Sequence, residues 1–498
     1  MGMVLNTNIP SIQAQRALGE SRKEMELAME RLSTGSRINS AGDDAAGLAI
    51  VERMNTQIRG LNQATRNAND GIALIKTVEN ALVEVSGMLQ RMRELAVQAA
   101  NDTNTATERA FADNEITSLQ KEISRVSLNT RYNGAQVLNG SFSAKSLQVG
   151  TEAGETLDFS IGNVESSKLG AYVVDGLTQA AQKGANTADD AYSAAVSDAD
   201  ITITSSSASR TVDVETTDSA KSVAKKINAV AASTQVVASA NTHAWIYTPT
   251  ASPSAQARLK FVGPTGVVTE TASFTFTSND VSDAIQKINA ISATTGVQAS
   301  STGDYKVLLS ESNGNNITVM NSSARTDLDV KAVGIDGVTA DSTEISLAAS
   351  SGSSAEDTAV IRGNIKLTSN NDFTVNQATN AEFFSNGTQS APLVDVSSVS
   401  VSTRTQASDA LAIIDGAIET VSSMRGSLGS LQNRLDYTVS NLLKVTEFTT
   451  AARSRIADAD FAAETARLAK AQVLQQAGAS MLSQANASTD TVLQLLRG

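Results

Sequence analysis

The sequence predicts an α+β multidomain protein: a long α-helical coiled coil or bundle built from both termini, with β-rich outer domains inserted in the middle. Three observations predict it. Near the beginning, apolar or small residues recur at spacings of three and four through Val51, Met54, Ile58, Leu61, Thr65, Ala68, Ile72 and Ile75. Near the end a second such seam passes through Ala410, Ile414, Ala417, Val421, Met424, Leu428, Leu431, Leu435, Thr438, Leu442, Val445, Thr449, Ala452 and Ile456. Between them the chain is Ser/Thr/Gly-rich and alternates in the manner of strands. Each seam leaves a stripe that must be covered, and the simplest cover for one is the other. The middle is then an insertion carried on a helical stalk.

At 498 residues the chain exceeds what one hydrophobic core usually holds. Aromatic residues are 4% of the whole, so the helical ends must pack through Leu, Ile, Val, Met and Ala, which suits long thin contacts better than a globule. Cysteine is absent, which excludes disulfides, thiol catalysis and thiolate metal sites. Of the formal charge of −13, residues 1–140 hold 15 basic against 16 acidic side chains and 400–498 hold 9 against 9, leaving 15 against 27 in 141–399. Balanced ends and an acidic middle suit ends that pack on protein and a middle that faces water. Without a basic patch no nucleic-acid partner is expected. No run approaches the ~18–20 apolar residues of a membrane span, so no membrane insertion is expected. Met1 to Arg16 lacks the basic-then-apolar pattern of a secretory signal peptide.

In chain order, a first helical repeat runs through Ala14, Leu18, Ser21, Met25, Ala28 and Leu32 and stops at the polar stretch Thr34 to Gly42. Asp43 or Asp44 can then cap a new helix, which reads on to about Gln98, on the order of 80 Å. A third segment keeps the spacing through Ala112, Ile116, Leu119, Ile123 and Val126, which makes a bundle. Beyond it the period changes. Asn133-Gly134 and Asn139-Gly140 are hairpin signals, and runs such as Thr156 to Ile161 alternate. The β-rich region continues to roughly residue 400. Lys226-Ile227-Asn228-Ala229 recurs as Lys287-Ile288-Asn289-Ala290, which predicts two copies of a small α+β unit. The tract Ala348 to Ser354 reads as a loop. The last forty residues are rich in Ala and Gln and finish with Val492, Leu493, Leu495 and Leu496. Stripes this narrow bury too little to order a helix alone, so both extreme ends are expected to order only against neighbours.

Enzyme chemistry finds little purchase. The single histidine, His243, beside Trp245, reads as a surface or half-packed residue in a loop with two nearby prolines and no partner pattern around it. HExxH, a zinc quartet, a catalytic triad and Gly-rich phosphate loops are all missing. Asp43-Asp44 could be imagined as a metal pair, but helix capping explains them. No metal or cofactor is expected. What remains is surface: residues 1–34 and 458–498 have no partner except each other and further copies of the chain. A head-to-tail contact that does not close produces a helical filament. The candidate assembly core is Leu18, Met25, Leu32, Ile58, Leu61, Ile72, Ile75, Leu428, Leu431, Leu435, Leu442, Val445, Leu493 and Leu496.

These residues resemble a known family, the bacterial flagellins. Val4-Leu5-Asn6-Thr7-Asn8 resembles the family's opening. Leu32 to Ala41, continuing into Asp43-Asp44-Ala45-Ala46-Gly47-Leu48-Ala49-Ile50, resembles its most recognisable motif. Gln90 to Gln98 matches again, as does Thr465 to Gly478, so the resemblance covers roughly 1–165 and 400–498. The repeated Lys-Ile-Asn-Ala unit is similar to a module inserted in many flagellins. The resemblance implies a structural subunit of the flagellar filament, secreted and extracellular, for swimming motility. It divides the chain into 1–45 with 455–498 as the filament core, 46–165 with 400–454 as a helical bundle plus β-hairpin, and 166–399 as a variable surface-exposed α+β region, one domain or, as the repeat suggests, two. Export of the unfolded chain by the flagellar type III apparatus is implied too, as are an export chaperone, hook-associated junction proteins and the filament cap as partners. A Toll-like innate immune receptor is a further implied partner; its contact would fall on Arg91, Leu95 and Glu115, with Gln90 and Gln98 beside them. A hook-filament junction protein, with related ends, is the main alternative. A flagellin-like metalloprotease is opposed by the single histidine, and a membrane-active translocator by charge-balanced ends without tryptophan.

Overall fold

A computed structural model describes residues 7–101, 103–184, 200–216, 218–249, 256–347, 358–377 and 382–497, with the side chains of 488–497 excepted. The opening Val4 to Asn6 and the expected loop Ala348 to Ser354 lie outside the described residues. Local signals set the first helices. Asn8 accepts from the Ser11 N–H and Pro10 sits in the first turn of α1 (Ile9–Thr34), which ends where Gly35 turns left-handed. Asp44 accepts from the Gly47 N–H at 2.8 Å and starts α2 (Ala45–Ala99). A Cβ on Gly47 would lie 2.4 Å from the Asp44 carboxylate, so the glycine is what lets the cap close. Thr105 and Glu108 form a capping box for α3 (Ala106–Asn129). The middle contributes α4 (Ala220–Thr234), α5 (Ser282–Asn289) and α6 (Ser292–Thr295). The end supplies α7 (Arg404–Ala457) and α8 (Phe461–Arg497).

The chain falls into two compact units: residues 1–76 with 144–159 and 429–498, and residues 77–143 with 160–428. In the first unit α1 pairs with α8. The turns that follow α1 and α7 are laced together: the Arg37 N–H donates to the Ala457 carbonyl at 2.6 Å and the Ala459 N–H to that of Gly35 at 2.9 Å. Leu61 and Ala64 of α2 form a small core with Leu442 and Val445 of α7. A hairpin, Lys145–Gln148 with Thr156–Phe159, lies on α2, its Leu147 close over Gly71.

Along α2 one line of covered residues, Leu61, Ala64, Ala68, Gly71, Ile75, Val78, Leu82, Val85, Leu89, Met92, Ala96 and Ala99, alternates in threes and fours, with Leu74, Ser86 and Leu95 buried beside it and Val51 nearer the start of the helix. The expected seam is corrected, being only partly covered: Met54, Ile58, Thr65 and Ile72 are half-buried, and beside the last two Ala64 and Gly71 take the covered positions. Thr65 returns its hydroxyl to the Leu61 carbonyl, while bare Gly71 lets Leu147 and Leu435 approach.

In the second unit the rest of α2, α3 and the start of α7 bury Leu82, Leu89, Ile116, Ile123, Ile414 and Val421. Buried Gln120 donates to the Val396 and Val399 carbonyls, both at 2.8 Å, and so ties α3 to the chain that enters α7. After α3, Asn133 and Gly134 both take positive φ, the type I′ geometry of a two-residue hairpin between Arg131–Tyr132 and Ala135–Gln136.

The β-rich part of this unit holds two hydrophobic cores. One gathers Phe261, Phe274, Phe276, Ile246 and Ile288; the other Ile203, Ile227, Phe373, Phe383 and Phe384. The strand Val236–Tyr247 serves both, pairing first with Asn364–Ser369 and then with Val307–Glu311 and Leu328–Val333. The two Lys-Ile-Asn-Ala stretches do the same work. Each puts its isoleucine into one core, and its asparagine amide both donates to and accepts from the backbone of the strand residue ten positions on: Asn228 with Ala238, Asn289 with Ala299, all at 2.7–2.9 Å. Each follows an antiparallel hairpin, Ile201–Ser205 with Ser209–Val212 and Leu259–Val262 with Val268–Glu270.

His243 is a second correction. It lies on the strand Val236–Tyr247, not in a loop, and is 8% exposed. The strand continues to Tyr247, past the histidine and to within two residues of Pro249, the first of the nearby prolines.

Candidate assembly and contact surfaces

The helical pair of the first unit is covered on one side only. Of the 26 residues of α1, those fully buried are Ser11, Ser21 and Ala28. Leu18, Met25 and Leu32 are half-buried, and Leu18 lies against Gly478 of α8. Among the described side chains of α8 the covered ones are Glu464 and Ala471. Glu464 accepts from Arg31 at 3.3 Å and Arg467 at 2.9 Å, so the buried carboxylate is paired. Large apolar side chains point outward instead: Ile12 and Met29 from α1, Tyr437 and Phe448 from α7, and Phe461, Val473 and Met481 from α8, each more than half exposed. Sequence reasoning followed the seams and missed these outward residues. The signal was available, since each is a large apolar residue standing off the stripe of its own helix.

Of the other expected core positions, Ile58, Ile72 and Val445 are half-buried, and Leu61, Ile75, Leu428, Leu431, Leu435 and Leu442 are buried. Leu493 and Leu496 belong to α8, but their side chains lie outside the described residues.

In the second unit, α2 and α3 present Gln90, Arg91, Gln98 and Glu115 to solvent. The Arg91 guanidinium donates to Glu115 at 2.8 Å and to Glu94 at 2.9 Å, and these two carboxylates hold it more firmly protonated than a free arginine, Glu115 most. Beside it Arg93 pairs with Asp415 at 2.6 Å, and a shallow open groove runs along Gln90, Arg93, Glu94, Val97 and Gln98. Leu95 departs from the expectation. It is 3% exposed, on the covered side of α2 with Met92 and Ala96, so its side chain does not belong to this surface.

Among the described residues, no group of three or more His, Asp or Glu side chains could hold a metal ion, and no helix is long and apolar enough to cross a membrane. Asp43, the other imagined metal ligand, accepts from the backbone of Ser40 and Asn39, which lowers its pKa, the Ser40 bond most.

Comparison with known proteins gives a consistent answer. The family model for the bacterial flagellin N-terminal helical region matches residues 5–143, that for the C-terminal helical region 411–496, and the flagellin hook IN motif 200–249, the first of the two repeats. The chain is 36% identical to a B-type flagellin of Pseudomonas aeruginosa and 32% identical to a flagellin B of Vibrio cholerae, each alignment covering 100% of both chains. Among solved structures it is similar to FliC from Burkholderia pseudomallei, at 19% identity over 73% of this chain and 99% of that one, with a TM-score of 0.30.

Proposed function

We propose, from the premise that this chain belongs to the bacterial flagellin family, how its two ends and its middle divide the work of a flagellar filament subunit. The family is structural and not enzymatic, and the filament it builds is extracellular. In our reading residues 1–45 and 455–498 form the filament core, 46–165 with 400–454 form the bundle around it, and 166–399 is the outward, variable part. Leu18, Met25, Leu32, Leu493 and Leu496 are assigned to the contact between copies together with the outward residues of α1 and α8. The observation that carries this is the thin cover of α1: a 26-residue helix that buries two serines and an alanine cannot owe its order to its own chain alone. We also assign export in the unfolded state through the flagellar type III apparatus, a chaperone on α8, and docking to hook-associated junction proteins and the filament cap. For a Toll-like innate immune receptor, the reading keeps Gln90, Arg91, Gln98 and Glu115 as the contact and drops the Leu95 side chain. The test is electron microscopy of purified monomer after short filament seeds are added, with circular dichroism before and after. Long uniform filaments with a gain of helix are expected; a junction protein would not elongate.

A further inference from the structure

We propose that the joint where the start of α7 seats on the large sheet is an acid-sensitive latch, closed while the chain's single histidine, His243, is neutral and loosened when it takes a proton. His243 stands on the strand Val236–Tyr247, between Ser310 on one neighbour strand and Val333 on the other. Its ring is buried, and neither nitrogen has a hydrogen-bond partner. One step along the same face, Asn241 sits opposite Asn364, and each leaves its amide oxygen unpartnered while its NH2 donates at the end of Leu328–Val333 or the turn beyond it: Asn364 to the Val333 carbonyl at 3.0 Å, Asn241 to that of Ile335 at 3.4 Å. The same turn carries Gly337, which lies against Thr405 of α7.

The charged groups that reach the imidazole are Asp336 of that turn and Arg404 of α7, and they act in opposite directions. Its strand neighbours are uncharged. Farther along α7, Asp409 receives Lys366 of the sheet at 2.6 Å, with Asp175 on the other side of the ammonium at 3.5 Å. The joint is thus held by a few polar contacts around a neutral ring. An imidazolium there would be a buried cation with no acceptor at either nitrogen and an arginine nearby, which weakens the closed joint relative to one opened to water.

Burial lowers the histidine pKa from 6.5 to about 4. The closed joint therefore binds its proton later than an opened one does, so closure is undisturbed above about pH 6.5 and weakens progressively between 6.5 and 4. At pH 4.5 the loss is roughly eightyfold in the closing equilibrium. Asp409 and Asp329, whose carboxyls burial pushes up, work with the opposite sign and favour the closed state in acid.

One histidine makes the test clean. The ring signals of labelled monomer are followed by NMR from pH 7.5 to 3.5, and amide exchange, corrected for its intrinsic pH dependence, is compared at pH 7 and 4.5. We expect a titration well below 6.5, with protection lost at 334–340 and 404–410 but kept at 82–96 of α2. His243→Gln and His243→Leu should remove that loss. A ring that titrates near 6.5, or exchange at the joint that does not respond to pH, overturns the proposal. So does an equal response in a folded variant, and the NMR titration needs no variant at all.

Discussion

The helical ends and the β-rich middle solve opposite problems with the same small stock of large apolar residues. The middle places Phe261, Phe274, Phe276, Phe373 and Phe384 inside two closed cores that share the strand Val236–Tyr247. The first unit leaves Phe448, Phe461, Val473 and Met481 in solvent and fills its interior with Leu, Ala and even serine. A region that keeps its apolar surface for itself can be judged by its own stability. A region that turns it outward is complete only in company, as a filament subunit is. Substitutions in the two regions should therefore fail in different assays.

The largest effect belongs to the closed cores. Phe261→Ala removes a fully buried ring and should destabilise the outer region by about 3–5 kcal/mol, seen as an early transition in calorimetry, while seeded elongation persists. The converse is Val473→Asp with Met481→Asp. Both sites are nearly two-thirds exposed, so the monomer should lose no more than about 0.5 kcal/mol while elongation on seeds falls more than tenfold. If monomer stability and elongation moved together in either variant, the contrast between the regions would collapse.

Within the middle, the repeat allows a finer comparison. Asn228→Ala and Asn289→Ala each remove two backbone contacts that are half-buried, and each should cost about 1–3 kcal/mol. Because Ile227 and Ile288 stand in different cores, the two losses should add, and exchange protection should fall only around the altered copy. A loss that spread across both copies would show a single cooperative region.

How much of this was legible follows from what each feature leaves in the residues. Helix ends carry chemical signatures, so the stop at Thr34 to Gly42, a cap at Asp43 or Asp44 and the Asn133-Gly134 turn could be read directly. The seam of α2 could be followed but slipped at Ile72, because where packing closes over Gly71 the covered residue is the one with no side chain to announce it. Leu95 sits within a motif whose neighbours are exposed, and only its place on the helix, beside Met92 and Ala96, buries it. The lacing of Gly35 and Arg37 to Ala457 and Ala459 is made of backbone groups, which any residue could supply. Strand order in the middle depends on pairings such as Val236–Tyr247 with Asn364–Ser369, more than a hundred residues apart, and alternation says which face is inside but not which strand lies beside it.

The smallest expected effect on stability falls on the pair where the surface reading is most easily tested. Arg91 and Glu115 touch at 2.8 Å, yet the side chains are 49% and 44% exposed. Water and salt screen such a pair, and holding two long side chains in one arrangement costs entropy. A double-mutant cycle with Arg91→Ala and Glu115→Ala should therefore report a coupling below about 0.5 kcal/mol in monomer unfolding. The same two substitutions are expected to weaken receptor signalling by purified protein at least tenfold, since a contact surface depends on the groups it offers and not on what they contribute to the fold. If signalling held while stability fell, the pair would be a structural clasp between α2 and α3, and the outward face of these helices would lose its claim to that partner.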